Sequence, residues 1–181
     1  MHLKRTAENQ RGNASEIFFL TAILIALKKT FKTNIFTPPL KANKNGIMNE
    51  GPFIFLAEDD IDDQELLVEA FTHIDETITI KTVNNGKKAL SFLDELSSDN
   101  SPCLIVLDYN LPELSGAEIL ERLNQSKKFE DITKIIWSTS NSPVYEKICL
   151  DLGAKAYLVK PNDISGINRL AQLMLQMCTV K

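Results

Sequence analysis

Residues 53–60 read FIFLAEDD, which is five apolar residues in succession followed by three carboxylates. A short run of consecutive apolar residues is typical of a strand that is buried on both faces of a parallel sheet. The carboxylates stand where this strand would end, and open α/β sheets bind their ligands outside the carboxyl ends of their strands. The stretch therefore predicts both a fold class and the edge of the sheet where chemistry takes place.

Four more short apolar runs follow, at residues 78–83, 103–107, 134–137 and 156–159. Amphipathic segments lie between them, as the spacing of apolar residues in the first and last segments shows. In the first segment, one helix face carries Leu66, Leu67, Ala70, Phe71 and Ile74. In the last segment, one face carries Ile164, Ile167, Ala171, Met174 and Cys178. Strict alternation of strands with helices, five times over, predicts an open parallel sheet with helices on both faces.

Helix-start signals support these boundaries. Ser115 is followed three residues later by Glu118, which is the spacing of a capping box. Asp163, shortly after Pro161, is a good N-cap for the last helix. We therefore expect helices to begin just after Ser115 and just after Asp163.

Charge divides the chain of 181 residues into two parts. Residues 1–48 hold eight Lys/Arg and two Asp/Glu, whereas residues 49–181 hold twelve Lys/Arg and twenty-two Asp/Glu. A nucleic-acid partner needs a basic patch on the folded domain, and the acidic part offers none. We therefore expect a basic N-terminal extension at residues 1–48, a folded domain at 49–181, and no nucleic acid among its partners.

The N-terminal extension contains one apolar run, at residues 17–27, which reads IFFLTAILIAL. Eleven helical residues rise about 16 Å, against roughly 30 Å for the core of a bilayer. Lysines follow the run, whereas a secretory signal carries its basic residues before it. We favour a segment without membrane contact over a membrane-surface helix at residues 17–32. Residues 1–47 could be disordered, or could result from a start codon chosen upstream of Met48.

The cysteines and histidines argue against a transition-metal site. Cys103, Cys149 and Cys178 lie far apart and form no metal-type pair, and the chain has two histidines. We interpret the three cysteines as separate buried thiols in a reducing compartment.

Polar residues end four of the five predicted strands. They are the acidic triplet Glu58-Asp59-Asp60, then Asp108, Ser138 and Lys160. Crowded carboxylates repel one another unless a cation neutralises them, and an oxygen-only set suits Mg²⁺ or Mn²⁺ rather than zinc. A carboxylate nucleophile beside such an ion can receive a phosphoryl group, and a lysine and a hydroxyl can stabilise the transferring oxygens.

Four stretches together resemble the receiver domains of two-component response regulators. They are residues 53–63 (FIFLAEDDIDD), 104–116 (LIVLDYNLPELSG), 135–140 (IIWSTS) and 152–162 (LGAKAYLVKPN). The resemblance covers about residues 53–178, and the order and spacing of the motifs make it specific. It implies a flavodoxin-like, doubly wound fold: a five-stranded parallel sheet in the order 2-1-3-4-5.

The resemblance also implies a phosphoacceptor and a metal site. Asp108 matches the phosphoacceptor aspartate. The Mg²⁺ (or Mn²⁺) ligands would be Asp59, Asp108 and the backbone carbonyl of Asn110, with Glu58 acting through water. Glu58 and Asp59 fit the acidic pair by their register after residues 53–57, although Asp59 with Asp60 is a second possible pair.

Three further positions match the residues that respond to phosphorylation in this family. Ser138 matches the hydroxyl residue that turns towards the phosphoryl group, and Tyr157 matches the aromatic residue whose rotation is coupled to that movement. Lys160 matches the ion-pairing lysine of the family. The bond between Lys160 and Pro161 is commonly cis in the family.

The function implied is a phosphorylation-dependent switch in a two-component phosphorelay. A histidine kinase or a histidine phosphotransfer protein would donate the phosphoryl group, and the cytoplasmic protein would act on an unknown protein target. Only one predicted helix follows Lys160 and Pro161 in the 181 residues, which is too little for an output domain. We therefore expect a single-domain regulator or an intermediate phosphate carrier. We expect no enzymatic activity beyond Mg²⁺-dependent self-phosphorylation and self-dephosphorylation.

Two alternatives remain open. An aspartyl-phosphate-type phosphohydrolase on a related fold usually needs a second carboxylate two residues after the nucleophile, where this chain has Asn110. The second alternative is a receiver domain that binds its partner without being phosphorylated. Such a protein would not need the phosphoacceptor and metal-binding residues, yet every one of these positions is filled in this chain.

Overall fold

The computed structural model of the protein describes residues 52–97 and 100–178. Five strands alternate with five α-helices in this part of the chain. In chain order they are β1 (Phe53–Ala57), α1 (Ile61–Ile74), β2 (Thr79–Val83), α2 (Gly86–Glu95), β3 (Leu104–Asp108), α3 (Gly116–Asn124), β4 (Thr133–Ser138), α4 (Pro143–Asp151), β5 (Ala156–Val159) and α5 (Ile164–Gln176). A short 3₁₀ helix, Lys127–Phe129, precedes β4. The predicted extension at residues 1–48, with its apolar run at 17–27, lies outside the described residues.

The sheet confirms the predicted topology. All neighbouring strands run parallel, in the order β2-β1-β3-β4-β5. Every residue of the central strands β1 and β3 is buried, as their unbroken apolar sequences predict. The edge strand β2 reads TIKTV and is partly exposed.

Helices cover both faces of the sheet. Alternate strand residues such as Phe55, Leu107 and Ile136 form one core cluster with the buried residues of α2, α3 and α4. Helices α1 and α5 pack against each other on the opposite face. Two apolar residues expected on that packed surface are exposed instead, Ile74 at the end of α1 and Ile164 at the start of α5. Both lie at a helix terminus, outside the turns that pack.

The predicted helix starts are confirmed. Ser115 and Glu118 form a capping box at the start of α3, and the Asp163 carboxylate accepts a hydrogen bond from the Gly166 N–H at the start of α5. None of the described helices is long and apolar enough to cross a membrane.

The interpretation of the cysteines is wrong for two of the three. Cys103, just before β3, forms a disulfide with Cys178, just after α5. The two are 75 residues apart, but α5 returns to the amino end of the sheet and brings their Cα atoms to 5.0 Å. Cys149 is a buried free thiol, as expected.

Candidate functional site

Three of the predicted carboxylates converge at the carboxyl edge of the sheet. Glu58 follows β1 directly, Asp59 comes next, and Asp108 is the last residue of β3. One carboxylate oxygen from each lies within 4.8 Å of the others, so the three could hold a metal ion together. Glu58 and Asp108 are buried and Asp59 is exposed, which leaves the cluster open to solvent on one side.

A single lysine ammonium joins this cluster. Lys160 follows β5, and its Nζ donates to Oε2 of Glu58 at 2.8 Å and to Oδ2 of Asp63 at 2.9 Å. Oδ2 of Asp108 lies farther away, at 3.6 Å. The lysine side chain is only 7% exposed, so its charge is balanced by these carboxylates rather than by water.

Burial governs the protonation of the cluster. It raises the pKa of Glu58 from 4.5 to about 7, although the hydrogen bond from Lys160 opposes the shift. The pKa of Asp108 is raised by burial as well, with the Lys160 charge acting in the opposite direction. Burial alone would lower the pKa of Lys160, but its hydrogen bonds to Glu58 and Asp63 raise it above the usual value.

The structure separates Asp60 from the cluster. Oδ1 of Asp60 accepts hydrogen bonds from the backbone N–H groups of Asp62 and Asp63, so this residue caps the first turn of α1. Of the two acidic pairs that the sequence allowed, Glu58 with Asp59 is the one that meets Asp108.

The loop after β3 is fitted closely around Asp108. The N–H of Asn110 donates to Oδ1 of Asp108 at 3.3 Å, and the N–H of Gly116 donates to the Tyr109 carbonyl at 3.1 Å. A Cβ at Gly116 would lie 2.5 Å from the carbonyl oxygen of Asp108, so only glycine lets α3 begin this close to the acceptor.

The loop after β4 links the two predicted switch residues. Ser138 is fully buried, and its Oγ accepts a hydrogen bond from the Ser140 N–H at 3.1 Å. The hydroxyl of Tyr157 donates to the Ser140 carbonyl at 2.9 Å. Movement of this loop would therefore change the contacts of both side chains.

One expectation at β5 is wrong. The described residues contain no cis peptide bond, so the bond between Lys160 and Pro161 is trans. Trans is the intrinsically preferred isomer of an X–Pro bond.

Two features of the site were missed by reasoning from the sequence. Asp63 binds Lys160 although 97 residues separate them; its position in the first turn of a helix that begins beside the acidic pair was the available signal. Tyr109 stacks on Tyr145 of α4 with ring centroids 4.7 Å apart and meets Tyr157 edge-on at 6.4 Å. These contacts connect the residue next to Asp108 with α4 and β5.

Comparison with known proteins agrees with this geometry. Residues 54–172 match the family of response regulator receiver domains. The chain belongs to this family. Receiver domains of two-component regulators generally receive a phosphoryl group from histidine kinases or phosphotransfer proteins, and serve as signalling switches rather than as catalysts.

Relatives and solved structures place this receiver domain among two-component proteins. It is 31% identical to the two-component response regulator ORR3 of Oryza sativa subsp. indica over 68% of this chain and 91% of that protein. A solved cyanobacterial phytochrome response regulator, RcpA in its phosphorylated form, is 26% identical, with a TM-score of 0.64 over 70% of this chain and 93% of that one. The Mn²⁺-bound form of the response regulator Rcp1 is also 26% identical, with a TM-score of 0.63 over 72% of this chain and 97% of that one.

Proposed function

We propose that this receiver domain accepts a phosphoryl group on Asp108 from a phosphohistidine of a kinase or phosphotransfer protein, and signals to a protein target in the cytoplasm. The observation that carries the proposal is the arrangement of Asp108 beside Glu58, Asp59 and Lys160 at one edge of the sheet. Carboxylates and a lysine from three separate strand ends meet there, as phosphoryl transfer to a carboxylate requires.

The transfer makes one bond and breaks one. An oxygen of the ionised Asp108 attacks phosphorus, the bond from phosphorus to the histidine nitrogen breaks, and the imidazole keeps that electron pair. Lys160 favours the ionised form of Asp108, against the effect of burial on its pKa. The ammonium, and the hydroxyl of Ser138 once it turns, would stabilise charge on the transferred oxygens.

The oxygen-only donor set fits Mg²⁺ or Mn²⁺. Asp59, Asp108 and the backbone carbonyl of Asn110 would hold the ion directly. Because Oε2 of Glu58 is bonded to Lys160 and its Oε1 accepts from the Asp60 N–H, Glu58 would act through water. When bound, the ion neutralises negative charge on the reacting oxygens. The Mn²⁺-bound form of Rcp1 supports this choice of metal.

Signalling would use the loop after β4. A phosphoryl group on Asp108 would draw the Ser138 hydroxyl towards it, and this would disturb the hydrogen bonds of Ser140 with Ser138 and Tyr157. The phosphohydrolase alternative is not favoured, because Asn110 cannot serve as the second acid or base that such an enzyme uses two residues after its nucleophile.

The test is incubation of the protein with acetyl phosphate and Mg²⁺, followed by mass spectrometry of the intact chain. Wild type should gain one phosphoryl group, and Asp108→Asn and EDTA-treated wild type should gain none. Asp151→Asn, which changes an exposed aspartate on α4, is the matched control and should behave like wild type. Wild type that stays unmodified in the presence of Mg²⁺ would refute the proposal.

A further inference from the structure

Asp63 lies in the first turn of α1, at the solvent-facing rim of the site. Its side chain is 33% exposed, whereas that of Glu58, the other hydrogen-bond partner of Lys160, is fully buried. The ammonium is thus held between an inner and an outer carboxylate. The cap of α1 is supplied by Asp60, so the start of the helix does not depend on the Asp63 side chain.

The distances show which carboxylates bind the ammonium. Lys160 Nζ is within hydrogen-bond distance of Glu58 and Asp63, at 2.8 and 2.9 Å. At 3.6 Å, Asp108 lies beyond the usual range of about 2.7–3.2 Å. A lysine ammonium is a compact charge on a flexible stem. The ammonium can therefore move to a group on Asp108 if it gives up one of its present partners. The partly exposed Asp63 is easier to leave than the buried Glu58.

We infer that Asp63 is a positioning residue that holds the Lys160 ammonium back from Asp108 and so favours the unphosphorylated state. The inference rests on the proposed function of Asp108. A group that binds Lys160 more strongly before phosphorylation than after it shifts the equilibrium towards the unphosphorylated form. Removal of the Asp63 charge should release the ammonium and strengthen binding of a phosphoryl group, or of an analogue, at Asp108.

The test uses fluoroberyllate, a phosphoryl analogue, titrated into the full-length protein at saturating Mg²⁺ and followed by calorimetry. Asp63→Asn should bind fluoroberyllate about threefold tighter than wild type or more, the scale on which one partly exposed ion pair shifts an equilibrium. Asp62→Asn is the matched control, since it removes the same charge from the same helical turn. Its affinity should stay within about twofold of wild type.

A purely structural role for Asp63 predicts the opposite sign: weaker binding together with lower stability. Asp63→Glu keeps the carboxylate and should return the affinity to within about twofold of wild type. Unchanged or weaker binding by Asp63→Asn, or an equal gain in Asp62→Asn, would overturn the inference. If wild type itself fails to bind fluoroberyllate with Mg²⁺, the proposed function fails; if wild type binds and Asp63→Asn does not differ, only the role of Asp63 fails.

Discussion

Replacing Lys160 by methionine tests whether one ammonium stabilises the carboxylate cluster. The substitution keeps a long apolar stem and removes the charge. At an effective dielectric constant of about 20, a charge pair at the observed separation of 2.8 Å interacts by about 6 kcal/mol, before the cost of desolvating the ammonium is subtracted. Loss of one partner of a buried pair typically costs about 3–5 kcal/mol. We expect the lower end, about 3 kcal/mol at pH 8 without metal, because Glu58 can take up a proton.

The stability lost by Lys160→Met should depend on pH. In the folded wild type, burial raises the pKa of Glu58 from 4.5 to about 7. A raised carboxyl pKa contributes stability that is present below the unfolded value and is lost as the pH rises through the folded value. Without Lys160 the folded pKa of Glu58 rises further, so the stability that Lys160→Met loses relative to wild type should be smaller at pH 5 than at pH 8. Mg²⁺ should restore part of the difference, because it supplies the missing positive charge.

Urea unfolding in EDTA, followed by the fluorescence of the buried Trp137, the single tryptophan of the chain, measures these differences. The control is Lys147→Met on α4, which breaks a pair with Asp151 that is exposed on both sides. An exposed pair of this kind contributes about 0.5 kcal/mol or less. Two results would refute the conclusion that Lys160 stabilises the carboxylate cluster. One is an equal decrease in the free energy of unfolding in both variants, and the other is a decrease in Lys160→Met that is the same at pH 5 and pH 8.

Three other predictions concern the core and the loop at the acceptor. Reduction of the disulfide between Cys103 and Cys178 should lower the free energy of unfolding by about 4 kcal/mol, since the bond closes a loop of 75 residues; dithiothreitol should have no such effect on Cys178→Ser. Burial raises the pKa of Cys149 to about 11, so its thiol should resist alkylation at pH 8 until the protein unfolds, and its contribution to stability should be lost as the pH rises from 9 through 11. Gly116→Ala should cost about 2 kcal/mol in urea unfolding and should slow phosphorylation by acetyl phosphate, because the new Cβ meets the Asp108 carbonyl; wild-type stability in this variant would contradict the close approach.

The fold could be predicted from the sequence because its signals are local. Unbroken apolar runs indicate buried parallel strands. Residues such as Ser115 and Asp163 mark helix starts, because their side chains accept hydrogen bonds from the backbone three residues further on. The predicted bounds of β1 and β5 match the structure, whereas those of β2, β3 and β4 differ by one residue at one end or at both. Asp108 and Ser138 are the last residues of their strands rather than the first residues after them.

The remaining features depend on distance in space rather than on sequence. Cys103 and Cys178 gave no signal because nothing local shows that α5 ends beside the start of β3. The contact of Asp63 with Lys160 was missed for the same reason. The resemblance found the matching role of Lys160, but it could not show which carboxylates hold that lysine in this chain.

The chemistry of Asp108 depends on the register of the sheet. Asp108 lies opposite Trp137, and Ser138 lies opposite Val159, so the acceptor, the hydroxyl and the lysine that follows β5 are placed by three neighbouring strands. A slip of one residue in β3 would turn Asp108 to the other face of the sheet, away from Glu58, Asp59 and Lys160. Apolar packing that stabilises the strands therefore also fixes the acceptor against its partners. Asp108 owes its burial, and hence its raised pKa, to that packing. Core substitutions in β3 or β4 that leave the domain folded should therefore still alter the rate of phosphorylation.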